Sequence, residues 1–220
     1  INLKIDALTT LGIVGSTGCG KTTLVDIILA LLEAQEGSLE VDGKTINNSN
    51  RKSWQRSIGY VPQQIYLSDD SIESNIAFGI DHSKINLDFV KEAAKIANLH
   101  NFVMNELPHK YQTIIGERGI RLSGGQRQRI GIARAIYHKP SVLILDEATS
   151  ALDNLTEHAV MEAINSLNKK ITIIVIAHRL STIKNCNSIV FLDKGEIKAK
   201  GTYEELLNTN DYFRKSVKKL

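Results

Sequence analysis

The 220 residues contain only two cysteines, Cys19 and Cys186, and neither stands in a ligand-like cluster with histidine. A disulfide framework and a structural zinc site are thereby excluded, and a reducing compartment such as the cytosol is implied. No run approaches the roughly 20 apolar residues of a membrane-crossing helix, and residues 1–10 lack the charged start and apolar run of a secretory signal. The excess charge of +3 is scattered rather than gathered into a basic block, so the chain lacks the usual footprint of a nucleic-acid partner. Internal repeats and low-complexity segments are missing, and no Tyr, Phe or Trp precedes Trp54. The length suits one buried α/β domain, or a core with a smaller lobe, and is too short for two tandem enzymes.

What is present has a clear rhythm. Residues 11–14, 142–145 and 171–176 are short apolar runs rich in β-branched side chains, the pattern of parallel strands buried on both faces. Helical spacing marks residues 21–33, through Leu24, Ile27, Ile28, Leu31 and Leu32, and residues 154–167, through Val160, Met161, Ile164 and Leu167. Alternation of the two predicts a central, mostly parallel sheet in an α/β fold. Runs 38–41 and 57–61 flank an Asp42-Gly43 turn and predict an antiparallel β lobe that includes residues 1–5. From 71 to Pro108 the pattern is helical, with Phe89, Val90, Ala93, Ile96 and Ala97 on one face, which predicts an inserted α-helical lobe over about 65–138 within a single domain, 1–220. Near the end, runs 189–192 and 196–199 flank a hairpin turn, and Thr202-x-x-Glu205 is a capping box opening a last helix.

Gly15-Ser16-Thr17-Gly18-Cys19-Gly20-Lys21-Thr22 fits the phosphate-binding pattern G-x-x-x-x-G-K-[ST], placed between a predicted strand and helix as that motif requires. Its glycines let successive N–H groups turn around phosphate, and the helix that follows presents its positive end to the same anion. Lys21 is assigned to the β- and γ-phosphates, Thr22 to magnesium, and Thr23 to the α-phosphate region. Cys19 reads as a small space-filling residue, although a thiol beside phosphate-binding amides is also open to alkylation.

Residues 142–145 run into Asp146-Glu147, and a carboxylate at the carboxyl end of a parallel strand falls beside such a phosphate loop. Asp146 is expected to hold magnesium and Glu147 to polarise a water for attack on the γ-phosphate, which favours hydrolysis over transfer to an acceptor.

Leu122-Ser123-Gly124-Gly125-Gln126 precedes the helical stretch 127–137. Ser123-x-x-Gln126 satisfies a capping box, but that leaves two glycines unexplained, each costing about 1 kcal/mol in a helix relative to alanine. With this pentapeptide the chain resembles the ATP-binding-cassette (ABC) superfamily, and the resemblance covers essentially its whole length. It implies a P-loop NTPase core that binds ATP and Mg2+, with Ser123, Gly124, Gly125 and Gln126 facing nucleotide held by an opposing copy. By the same resemblance Gln63 senses magnesium, residues 150–153 cross the dimer interface, and His178 contacts the γ-phosphate.

Gly116-Glu117-Arg118-Gly119 is similar to the exporter loop that meets the membrane domains, and residues 63–79 to the surface that receives them. The wording looks closest to bacterial lipid-linked-oligosaccharide flippases. The implied partners are a second copy and a transmembrane domain, at the cytoplasmic face of the inner membrane. An importer ATPase and a P-loop small-molecule kinase are the alternatives, whereas a DNA-repair ABC ATPase would need a long coiled coil between Gln63 and Ser123. Two departures stand out. The family's adenine-stacking aromatic has no counterpart, so Ile1 is expected to begin inside the domain, and Leu8 stands where the family has a glycine before the first core strand.

Overall fold

The computed structural model describes residues 1–116, 120–167, 170–177 and 180–217. The chain begins its regular structure with β1 (Thr10–Gly15) and α1 (Lys21–Ile28), then β2 (Glu40–Val41), β3 (Lys44–Thr45), α2 (Arg51–Arg56) and β4 (Ile58–Val61). A mostly helical stretch follows: β5 (Asp70–Ser71), α3 (Ile72–Ile76), α4 (Leu87–Ile96), α5 (His100–Glu106), β6 (Ile114–Ile115) and α6 (Gly124–Tyr137). It ends with β7 (Val142–Asp146), α7 (Asn154–Ser166), β8 (Thr172–Ile176), α8 (Leu180–Ile183), β9 (Ser188–Asp193), β10 (Glu196–Gly201), α9 (Tyr203–Thr209) and α10 (Asp211–Val217).

Six strands form one sheet in the order β10-β9-β1-β8-β7-β4, parallel except for the β9–β10 hairpin. The apolar runs are buried on both faces, as their lack of polar alternation requires. Leu143 and Leu145 join the larger core cluster, shared with α3 to α7, while Ile144 between them points into the cluster that packs on α1. Each such Leu or Ile contributes about 1.5–3 kcal/mol on burial. Capping marks the helix starts: Asp153 Oδ1 accepts from Thr156 N at 3.0 Å, and the capping box at Thr202 is closed by Glu205 at both ends.

The fold class is as the sequence predicts, with local corrections. Residues 57–61 do not join an antiparallel lobe: β4 pairs in parallel with β7 at the sheet edge, where Val61 is fully buried. The antiparallel piece reduces to the β2–β3 hairpin, whose turn residues Asp42 and Gly43 both have positive φ, as a type I′ turn requires. Residues 1–9 form no strand, although Leu3 and Ile5 pack on the α1-side core.

Helix α1 stops at Ile28 rather than at residue 33. Ala30 turns to φ 53, Trp54 Nε1 takes the Ile28 carbonyl at 2.7 Å and Gln55 Nε2 the Leu29 carbonyl at 3.1 Å, so side chains of α2 satisfy the orphan carbonyls. Leu31 and Leu32 consequently face solvent. On α4, Val90, Ala93 and Ala94 are buried as expected, but Phe89 turns outward, edge-on to Tyr137 and under the Lys139 ammonium at 3.8 Å.

Candidate nucleotide site

The loop between β1 and α1 is held from below. A Cβ on Gly15 would lie 2.2 Å from the Leu192 carbonyl oxygen, so only glycine lets the loop rest on β9, and Gly195 N donates to Cys19 O at 2.9 Å. Gly18 and Gly20 take φ 77 and 103, and no side chain caps α1 at Gly20, so the first N–H groups of the helix are not taken up by a cap. Ser16, Thr17, Thr22 and Thr23 are exposed around this opening. Cys19 is 3% exposed, which supports the space-filling reading and withdraws its thiol from reagents.

Lys21, 8% exposed, folds back over the loop: Nζ donates to Gly15 O at 2.8 Å and to Ser16 O at 3.0 Å. The ammonium thus hydrogen-bonds to carbonyl oxygens of its own loop, and a phosphate would compete for it there.

The acids sit where the parallel sheet delivers them. Asp146 is the last residue of β7 and half-buried; burial, then the neighbouring Glu147 charge, pushes its carboxyl above the usual range, with the Lys21 ammonium and the Tyr60 hydroxyl opposing. Tyr60 OH lies 3.4 Å from Asp146 Oδ2, and burial together with that carboxylate raises its phenol to about 12. Glu147 adopts φ 49, a conformation uncommon for a residue with a side chain and of the kind stored at functional sites. Its backbone is pinned by Glu147 N to Ile176 O at 3.1 Å and by Ser150 N to Glu147 O at 3.0 Å. Its carboxylate accepts from Gln63 Nε2 at 2.8 Å. Gln63, expected at magnesium, therefore meets the other acid in this conformation.

The pentapeptide segment caps α6 as a complete capping box: Ser123 Oγ accepts from Gln126 N, and Gln126 Oε1 accepts from Ser123 N at 2.8 Å. The glycines also acquire a reason within the chain. A Cβ on Gly124 would be 3.2 Å from Ala151 Cβ, and one on Gly125 3.2 Å from Ala151 O, so α6 approaches the loop after β7 closely. His178 and residues 117–119 of the exporter-like loop lie outside the described residues.

Sequence reasoning missed three side chains. Gln128, 5% exposed, bonds Ser150 and Ala151; Glu157, 4% exposed, accepts from Thr149 at 3.1 Å and Thr182 at 2.9 Å; Arg134 reaches the carbonyls of Asn75 and Tyr66 at 2.8 and 2.9 Å. A polar residue at helical spacing on an otherwise apolar face was the available signal for Gln128.

Among the described residues no group of three or more His, Cys, Asp or Glu forms a metal centre. Oxygen donors from Thr22 and Asp146, with the amide of Gln63 nearby, suit a hard cation that keeps water and phosphate in its shell, as magnesium does.

The sequence profile of the ABC transporter family matches residues 1–150. The chain belongs to that family. The ATP-dependent lipid A-core flippase of Desulfotalea psychrophila is 47% identical over 214 residues, 97% of this chain and 37% of that protein. ATP-binding cassette sub-family B member 5 of Mus musculus is 42% identical over 217 residues, 99% of this chain and 17% of that one. A solved bacterial Atm1-family ABC exporter with ATP bound superposes with a TM-score of 0.89 at 36% identity, covering 96% of this chain and 37% of the exporter chain. The chain thus spans 37% or less of the length of these relatives. It is an exporter-type ABC nucleotide-binding domain, of a family of ATPases coupled to transport.

No helix among the described residues is long and apolar enough to cross a membrane. The family's glycine position before β1 is informative. Leu8, at that position, takes the left-handed φ 58, with its N–H donating to Thr172 Oγ1 at 3.0 Å.

Proposed function

We propose that this chain hydrolyses ATP as the motor of an ABC exporter at the cytoplasmic face of a membrane, with two copies closing over two nucleotides. Residues 1–220 act as one domain, with the helical lobe over about 65–138. The observation that carries the reading is the convergence of Lys21, Asp146, Glu147 and Gln63, from three segments, at the carboxyl end of the parallel sheet.

In this reading, phosphate draws Lys21 away from Gly15 O and Ser16 O and takes the free N–H groups of the loop. Thr22, Asp146 and Gln63 hold magnesium, which when bound screens the phosphate charge. Glu147 accepts the proton of an attacking water while its oxygen bonds to the terminal phosphorus and the bond to the leaving oxygen breaks; His178 contacts the same phosphate. Ser123, Gly124, Gly125 and Gln126 complete the site from the opposing copy, where the start of α6 faces the anion. Exposed Tyr66 and Phe78, the latter stacked under Arg134 at 4.6 Å, give the transmembrane partner an aromatic seat. The cargo class that fits the flippase relatives is an amphiphilic lipid.

The test is phosphate release with Mg2+ and ATP and without an added acceptor. Release supports hydrolysis. No free phosphate, with ADP formed only when a nucleoside or metabolite acceptor is added and becomes phosphorylated, would instead make the chain a kinase.

A further inference from the structure

The start of α6 and the loop after β7 are joined twice. The first joint is the close packing of Gly124 and Gly125 on Ala151. The second is Gln128, one turn further along the helix and 5% exposed. Ala151 N can only donate, so the amide oxygen of Gln128 faces it, at 2.9 Å; the amide nitrogen then donates to Ser150 Oγ at 2.9 Å and reaches Glu147 O at 3.5 Å. Two of the three contacts fall on the turn that begins at Glu147 with φ 49 and closes through Ser150 N to Glu147 O, and the third on Ala151, the next residue. A buried amide satisfied at both ends is costly to pull apart, because either half left alone keeps an unpaired polar group. Helix start and loop therefore move as one body.

We propose that Gln128 is a positioning residue that couples the two nucleotide sites of a pair of chains. The inference rests on the two-copy reading above: Glu147 serves the site built on its own phosphate loop, whereas Ser123 to Gly125 serve the other copy's site. A shift of the Glu147 turn on nucleotide binding or phosphate loss is carried through Gln128 to the α6 start, and so into the opposite site. Because coupling between sites is a difference in free energy, it is lost when the link is cut while each site keeps its own nucleotide contacts.

The experiment uses the full chain carrying Gln128→Met, which keeps the length of the side chain and removes the three contacts. Two quantities are read: affinity for a fluorescent ATP analogue, and the Hill coefficient of phosphate release. Wild type is expected to show a coefficient approaching about 2, and the variant about 1 with turnover down about tenfold, within the range of site–site coupling, and analogue affinity within about twofold. Should Gln128→Met fail to fold, Ser150→Ala removes one of the two 2.9 Å bonds without touching the helix and is expected to lower the coefficient partway. An unchanged coefficient in the variants, or a hyperbolic wild type, overturns the inference, as does a loss of analogue affinity with cooperativity kept. Failure of the two-copy reading shows separately, as a Glu147→Gln chain that stays monomeric in light scattering with Mg-ATP.

Discussion

Gln63 Nε2 donates to a Glu147 carboxylate oxygen at 2.8 Å across 84 residues of chain, joining the segment after β4 to the end of β7. Because β4 and β7 are paired neighbours, the sheet fixes both ends of this bond. Glu147→Gln should reduce turnover by about 10²–10⁴-fold, the usual worth of a general base, with nucleotide binding retained. Gln63→Ala should lower kcat and weaken the dependence on Mg2+ with little change in nucleotide affinity. Wild-type turnover in Glu147→Gln, read as phosphate release, would remove Glu147 from the role of base.

Lys21 Nζ donates to Gly15 O and Ser16 O, so Lys21→Ala removes a loop tie as well as the assigned phosphate ligand. The expected result is a melting temperature that no longer rises with Mg-ATP, against a rise of several degrees for wild type. An undiminished shift would contradict the assignment.

Asp146 gives a sign that separates stability from function. Its carboxyl is raised by burial and by the Glu147 charge, so the folded chain binds the proton more tightly than the unfolded one. The stabilisation this brings is complete below the unfolded value of about 3.9 and is lost as pH rises through the raised folded value. At neutral pH the ionised group therefore weakens the nucleotide-free fold. Asp146→Asn should melt higher than wild type at pH 7, converge with it near pH 4, and lose the response to Mg-ATP; a lower melting point at pH 7 would refute this.

Leu8 carries backbone strain for the turn before β1. A left-handed conformation costs a side-chain-bearing residue about 1–2 kcal/mol, and glycine in exchange adds about 0.5–1 kcal/mol of unfolded-state entropy. Leu8→Gly should therefore stabilise the chain by roughly 0.5 kcal/mol, about 1–2 °C at this size, measurable by calorimetry. Destabilisation would mean that the leucine side chain supports the fold in a way its half-exposed position does not suggest.

Much of this was legible in the sequence because the decisive signals are local. The residues from Gly15 to Thr22, the apolar run into Asp146 and Glu147, and the pentapeptide at Ser123 each carry their own strand, turn and helix context. What was not legible depends on contacts between distant segments. The end of α1 is set by Trp54 and Gln55, which lie in another helix, and the edge position of β4 by its pairing with β7. The bond from Gln63 to Glu147 and the burial of Gln128 against Ser150 and Ala151 likewise exist only once the sheet brings their segments together. Phe89 left its predicted face because an edge-on partner and a cation were available outside the core.

The central claim is that one chain holds two halves of two different sites. Light scattering after size exclusion of Glu147→Gln, with and without Mg-ATP, tests it directly. The account predicts a particle of twice the 24.4 kDa chain mass with Mg-ATP and a monomer without it. A chain that releases phosphate as wild type, while the Glu147→Gln variant stays monomeric at saturating Mg-ATP, would contradict it.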